Sequence, residues 1–383
     1  MQKIANNAEA IERDGSTQTA SGERVQRVFP RLPAFVAGDD SSQQLSTAEV
    51  LAAFAEEGLL ELDFLEPNAT AVLSPDLRRV TSIVSSLAER SGTISQIYMV
   101  NAILAPAVIE GTPEQKQRLL QRLRSGALEL AFALTEPEAG SDAAAVATTA
   151  TATSDGFVLR GEKLYTTGAM SADFIIVVAR IADQGTDKRA FGLFLVPKNA
   201  PGLTVEALRK LSANQHASCH LTLRDVHAGP DQVLGGKERI GAAWNTLRMT
   251  GTFERLVVAG RAHGLGRAIV RRALEFATSR RQFGQSIAKF QAIQHGLVEM
   301  QTLATTMGLL VENALAAADK GGDAMQEICM AKYYCAEQLQ RIVALGCESW
   351  EAAATSSSRK CRASIARLPT VCMRAVPSKF RRY

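Results

Sequence analysis

Residues 133–142, Ala-Leu-Thr-Glu-Pro-Glu-Ala-Gly-Ser-Asp, follow the apolar run Leu130-Ala131-Phe132 and lead into strand-like segments. This stretch puts hydroxyls, small residues and a tight turn where a strand ends. Gly140 permits a positive φ and close backbone approach, Thr135 and Ser141 can donate hydrogen bonds, and Asp142 can fix the turn. Such a ledge suits a large flat ligand. Taken alone it is equally a surface turn, since a short motif matches by chance. The rest of the chain has to decide between the two.

The chain has 383 residues, 46% hydrophobic and 21% charged, which is enough for two or three packed units of a globular protein. No uninterrupted apolar run reaches the roughly eighteen residues of a membrane span. The N-terminus, MQKIANNAEAIERDGSTQTASGER, lacks the apolar centre of a secretory signal. Six cysteines without regular spacing argue against a disulfide framework, so the cytosol is the expected compartment. The net charge of +4 is misleading: residues 347–383 hold eight Lys/Arg and two acids, and the preceding chain is slightly acidic. The chain therefore gives no case for a nucleic-acid partner beyond that tail.

Residues 1–45 are polar and aperiodic, and order is expected only around Phe29 to Phe35. Ser46-Thr47-Ala48-Glu49 reads as a capping box opening a helix that stops at Gly58. Thr112-Pro113-Glu114-Gln115 reads as a second box, opening a helix to about Arg124 that ends at Gly126. The texture changes at Leu130. Phe157–Leu159, Phe174–Ala179, Phe191–Val196 and His220–Val226 are short β-branched or aromatic runs, as of an antiparallel β unit. Helical periodicity returns at Ile240 and holds to about Leu345. The expectation is an α+β chain: a helical domain over 46–129, a β domain over 130–235 and a helical bundle over 236–346. Residues 347–383 form a basic tail. Gly264-x-Gly266 lies within the last helical unit with no strand before it, so it carries no dinucleotide meaning. The grouping His216-x-x-Cys219-His220 is read as incidental, and no metal site is expected.

This order of units, with ALTEPEAGSD at the first junction, resembles the acyl-CoA dehydrogenase flavoproteins from about Leu45 to Gly346. Four further stretches carry the likeness: GTPEQK at 111–116, GEKLYTTGA at 161–169, LRDVHAGPDQVLG at 223–235 and SRRQFGQSIAKFQAIQ at 279–294. The resemblance implies bound FAD and a dehydrogenase of acyl-CoA or acyl-carrier thioesters. It also implies electron transfer to an electron-transferring flavoprotein and a homo-oligomer, dimer or tetramer. By position, Phe132, Leu134 and Thr135 would line the flavin rings. Gly140 and Ser141 would form the turn near the pyrophosphate and the CoA arm. Tyr165 would lie over the flavin face and the Thr167 hydroxyl would reach N5. Arg280, Phe283 and Gln291 would hold the adenine half of FAD from a neighbouring subunit. A solvated helix end is the plain alternative for Arg280, and core packing for Phe132 and Phe283.

Family reactions remove a proton alpha to a thioester while hydride leaves the beta carbon. A carboxylate must reach the alpha carbon opposite the flavin, in an apolar slot that raises its pKa. The family places that Glu in a late Glu-Gly-Thr segment or on a helix of the third unit. GTFERLVVAG at 251–260 resembles the second arrangement. It makes Glu254 the candidate base, with Arg255 beside it as a substrate-binding neighbour; a solvated surface pair is the bland alternative.

Two departures stand out. ELDFLEPNATAVLSP, 61–75, replaces the Gly-Gly loop that usually follows the first helix, so the mouth of the acyl pocket is expected to differ from the family's. After Gly346 the family pattern stops, leaving the bundle incomplete and an Ala/Ser/Arg-rich tail. Its codons, read one base out of frame, permit Met-Gly-Gly, then Gly-Tyr-Phe-Glu-Phe-Glu-Glu, Tyr-Arg-Glu-Ala-Pro and Leu-Tyr-Ala-Gly-Gly-Thr-Val-Glu. Those strings follow the family's C-terminal order, and they read Gly-Gly-Thr where a late base would require Glu-Gly-Thr. The reading is a single-base deletion near codons 345–347, with the chain as written holding FAD weakly. A catalytically impaired remnant of the fold and an oxygen-reacting acyl-CoA oxidase are the alternative functions. Resequencing codons 340–350 in independent isolates is expected to show the missing base; an unbroken frame in every isolate rejects the deletion.

Overall fold

The computed structural model describes residues 16–31, 46–62, 74–182, 190–210, 215–321 and 323–350. The 347–383 tail beyond Trp350 and most of 61–75 lie outside these residues, as does the shifted-frame reading. Order begins earlier than expected. Helix α1, Ser16–Val28, runs into a short 3-10 turn over Phe29–Arg31. Val25, Val28 and Phe29 are buried in the main core, and Arg24 donates to the Gly58 carbonyl at 3.1 Å. A polar composition hid this helix, in which Val25 and Val28 are the buried residues among those whose burial is described.

Helix α2, Thr47–Glu56, ends as expected before Gly58, whose φ of 66° only glycine adopts freely. The expected box at its start is not formed: Ser46 is the N-cap but makes no side-chain cap bond. The Thr112 box is complete. Its hydroxyl accepts from Gln115 N, and Gln115 Oε1 accepts from Thr112 N. The helix it opens is α5, Pro113–Arg124; before it come α3, Ser74–Arg90, and α4, Gly92–Ile109. By length and composition α4 could cross a membrane, an outcome the sequence reading excluded, but it is buried on all sides within the protein. Its lack of a polar face marks it as the central core helix.

The β unit comprises β1 Leu130–Ala133, β2 Thr149–Thr153, β3 Gly156–Thr167, β4 Phe174–Ile181, β5 Phe191–Pro197, β6 Leu203–Ala207 and β7 Ser218–Ala228. The sheet is mixed where an antiparallel one was expected. β2–β3, β3–β7, β4–β5 and β6–β7 are antiparallel, while β1 and β2 both run parallel to β4. Side-chain alternation reports which face a residue occupies but not strand direction, so the sequence pattern could not distinguish the two. β4 is buried on both faces. Ile176 and Val178 join the helical core, whereas Ile175, Val177 and Ala179 join the β core.

The last unit is built on α6, Ala243–Ser279, followed by α7, Gln291–Asp319, and α8, Met325–Trp350. Helix α8 continues four residues past the boundary read at Gly346. Gly264 has a packing role. A Cβ there would lie 2.0 Å from the Ser85 carbonyl oxygen, so α3 and α6 cross in backbone contact. Buried Arg261 ties α6 to the start of α4, with Nε donating to Ser95 Oγ at 3.0 Å and Nη2 to Gly92 O at 2.7 Å. A Gly264→Val change is expected to force α3 and α6 apart and cost about 1–3 kcal/mol or more, measurable as a lower urea midpoint.

Candidate functional site

The stretch at 133–142 sits in a break along one edge of β4. β5 occupies the other edge from Phe174 to Arg180. On the near edge β1 pairs with Phe174–Val177, and β2 joins only at Arg180 and Ile181. Between them the chain leaves the sheet. It makes a tight turn in which Glu136 and Ala139 exchange backbone hydrogen bonds at 2.9 and 3.3 Å, then returns through Ala147 and Thr148. Arg180 closes the return by donating from Nη2 to Ala144 O at 2.7 Å.

What holds this excursion is a pair of residues that sequence reasoning did not single out. Lys163 on β3 is fully buried, and its Nζ donates to Glu136 Oε1 at 2.7 Å and to the Leu134 carbonyl at 3.1 Å. The Glu136 carboxylate also accepts from Ala147 N at 2.6 Å, Thr148 N at 2.9 Å and Thr148 Oγ1 at 2.5 Å. Leu164 N donates to Thr135 O at 2.8 Å. Burial lowers the Lys163 ammonium to about 8, against which Glu136 pulls upward. Burial raises Glu136, but the hydrogen bonds from Lys163 and Thr148 outweigh it, and the carboxyl lies below its ordinary value. Glu136 is flanked by partly buried Thr135 and exposed Pro137, and Lys163 by exposed Glu162 and partly buried Leu164, so neither stretch of sequence signals a buried charge.

β3 is bent beside this turn. Its register with β7 shifts between Lys163 and Thr166, and Tyr165 takes a φ of 62°, uncommon for any residue but glycine. The bend leaves the Tyr165 ring 47% exposed. Thr167 follows, partly buried, with its Oγ1 2.9 Å from Ser218 Oγ. Phe132, Leu134 and Thr135 are likewise partly buried, and Gly140 and Ser141 are exposed. Phe132 lies on β1 and Leu134 and Thr135 directly follow it, joined to β3 where Leu164 N donates to Thr135 O, whereas Gly140 and Ser141 lie on the excursion beyond the Glu136–Ala139 turn. Two details differ from expectation. Gly140 is not at positive φ, and Asp142 makes no side-chain cap bond to the short 3-10 turn it precedes. A Cβ at Gly140 would meet nothing within 4 Å. The described residues thus leave that side of Gly140 open.

Glu254 and Arg255 lie on α6 and are exposed, so the apolar slot expected around the base is not made by the described residues. Arg280, Phe283 and Gln291 lie at the hairpin between α6 and α7, where β8, Arg281–Gln282, pairs with β9, Gln285–Ser286. Phe283, at φ 49° and 92% exposed, stacks edge-on at 6.0 Å on Phe290. At about 1.5 Å per residue, roughly 39 Å of helix separates Glu254 from Arg280. The two groups therefore cannot serve one end of the same ligand within one chain. Among the described residues no His, Cys, Asp and Glu group could hold a metal ion, and His216-x-x-Cys219-His220 is not such a cluster.

Residues 131–226 match the family "Acyl-CoA dehydrogenase, middle domain", and residues 243–362 match "Acyl-CoA dehydrogenase, C-terminal domain". The chain is 34% identical over 299 residues to a 3-(aryl)acrylate reductase of Clostridium sporogenes, covering 77% of this chain and 78% of that protein. It is 30% identical over 323 residues to the mitochondrial short-chain specific acyl-CoA dehydrogenase of Bos taurus, covering 84% of this chain and 76% of that one. The solved structure of butyryl-CoA dehydrogenase from Megasphaera elsdenii superposes with a TM-score of 0.81 at 23% identity, covering 94% of each chain.

Removing Lys163 alone leaves the Glu136 charge buried without its ammonium. Lys163→Met is expected to lose about 3–5 kcal/mol of stability, with most of it regained in Lys163→Met/Glu136→Leu. The wild-type contribution of Glu136 is complete above its ordinary 4.5 and is lost as pH falls through its lowered folded value. Urea midpoints of the three proteins between pH 3 and 7 check both statements.

Proposed function

The chain belongs to the acyl-CoA dehydrogenase family, and on that premise we propose that it is an FAD-dependent oxidoreductase removing an alpha proton and a beta hydride from an acyl-thioester. The observation that carries this reading is the braced break in the β4 edge, bordered by residues suited to a flat, polar-rimmed ring system. The residues fit FAD. Phe132, Leu134 and the exposed Tyr165 offer apolar and aromatic surface, and Thr135, Ser141 and Thr167 offer hydroxyls. The open space over Gly140 admits a ligand close to the backbone.

FAD bound there supplies the acceptor for the hydride leaving the beta carbon. The chain's own part is to hold and to deprotonate. Thr135 and Thr167 donate hydrogen bonds that orient the ring system, while Gly140 and Ser141 take the pyrophosphate and the CoA arm. Glu254 removes the alpha proton from the opposite side, and a thioester lying over it excludes the water that reaches it in the free chain. Arg255 orients the thioester beside it. Arg280, Phe283 and Gln291 serve the adenine half of the FAD of a neighbouring subunit, which the helix length between them and Glu254 supports. An electron-transferring flavoprotein is the proposed acceptor. The name of the Clostridium sporogenes relative, a 3-(aryl)acrylate reductase, favours a second direction at the same site, the reduction of a 2-enoyl group for which reduced FAD would supply the hydride and Glu254 the proton.

Anaerobic addition of acyl-thioesters is expected to bleach the flavin absorbance of FAD-loaded protein. Glu254→Gln should slow bleaching about 10²–10⁴-fold with FAD uptake unchanged. Retained turnover in that variant removes Glu254 from the role of base. Reoxidation of the pre-reduced enzyme by 2-enoyl thioesters, without bleaching by the saturated ones, selects the reductive direction.

A further inference from the structure

The Thr167 hydroxyl ends a strand that has just been bent at Tyr165, so something beyond β3 must fix its direction. Gly168 follows at φ 84°, and its N–H donates to Ala217 O at 2.8 Å. A Cβ on Gly168 would lie 2.8 Å from His216 Nε2 and 3.2 Å from Glu129 Oε1, so these two side chains wall the turn. Both are buried, His216 at 2% and Glu129 at 5% exposure, with Nε2 and Oε1 3.2 Å apart. A carboxylate only accepts, which puts the hydrogen on Nε2. His216 Nδ1 is buried with no hydrogen-bond partner among the described residues.

The pair belongs to a knot that joins four segments. Ser171 Oγ donates to Glu129 Oε1 at 2.9 Å, and Thr47 Oγ1 on α2 lies 3.3 Å from Ser171 Oγ. Glu129 N donates to Asp173 Oδ2 at 2.9 Å, just before β4. Two residues beyond His216 stands Ser218, the partner of Thr167. Both supports of Thr167, its backbone successor and its side-chain partner, thus lead to His216 and Glu129.

We infer that His216 and Glu129 are positioning residues that aim the Thr167 hydroxyl at the flavin through Gly168 and Ser218. The inference rests on the functional reading above for what Thr167 faces, while the knot itself is a property of the chain alone. Three variants of the full chain test it, His216→Ala, Glu129→Gln and Thr167→Ala, the first also combined with the third. The amide oxygen of Glu129→Gln still accepts from His216 and Ser171, so exchange over 164–169 should rise less in this variant than in His216→Ala; a rise as large overturns the part given to that acceptor. Hydrogen–deuterium exchange without FAD should accelerate about fivefold over 164–169 in His216→Ala, with β4 and β5 unchanged. With FAD in excess, His216→Ala should lower kcat for the best acyl-thioester about tenfold and leave KM within about twofold, because a small misplacement harms the reacting geometry more than binding. In the Thr167→Ala background, His216→Ala should lower kcat no further, since the two act as one unit. Unchanged exchange over 164–169 overturns the inference whatever the wild type does with FAD. So does exchange rising across the whole β unit, or losses that add in the double variant. Absence of bleaching in the wild type, with the local exchange change present, overturns the functional reading and leaves the knot standing.

Discussion

One edge of β4 has to be shared by two strands, and the site follows from that constraint. β1 is too short to cover the edge, and β2 arrives only at its far end. The chain between them must leave the sheet with its peptide groups still demanding partners. Buried backbone groups cannot be left unbonded without a cost comparable to a lost hydrogen bond. The solution is to bring charge inside: Glu136 takes three donors from the returning backbone and side chain, and Lys163 neutralises it while holding the Leu134 carbonyl.

That solution has an electrostatic consequence for the ledge it supports. Buried ion pairs are weak evidence for net stability, because desolvation opposes their attraction. Their value here lies in direction. One ammonium hydrogen-bonds two acceptors from the same turn, which ties Leu134 to Glu136, and the Arg180 guanidinium closes the return. The Lys163–Glu136 pair and the second knot at His216 sit on either side of the same short length of β3, with the bend at Tyr165 between them. Between them, Lys163 to Gly168 is constrained from below at both ends and presents Tyr165 and Thr167 outward.

Much of this was legible in the sequence. The Thr112 box, the stops at Gly58 and Gly126, and the β-branched runs of β3, β4, β5 and β7 are local signals, and each marks a real element. Strand direction was not legible, because parallel and antiparallel strands alternate alike. Nor was α1, whose buried Val25, Val28 and Phe29 stand in a polar run. Glu136 and Lys163 escaped notice because a charged residue is read as surface until its partner is known, and that partner lies 27 positions away. His216 looked like part of an empty metal pattern for the same reason: its true neighbour, Glu129, is 87 positions upstream.

Helix α6 imposes a different kind of limit. It runs unbroken for 37 residues and carries Glu254 near one end and the hairpin of Arg280 and Phe283 at the other. Each residue of a helix turns the axis by about 100° and advances it by about 1.5 Å. One residue gained or lost between Glu254 and Arg280 would turn the hairpin by about 100° relative to Glu254, and one between Glu254 and Gly264 would also turn Gly264 relative to Glu254. This segment can therefore accept substitutions but not changes of length, and α6 serves the chain as a ruler whose divisions cannot be recut.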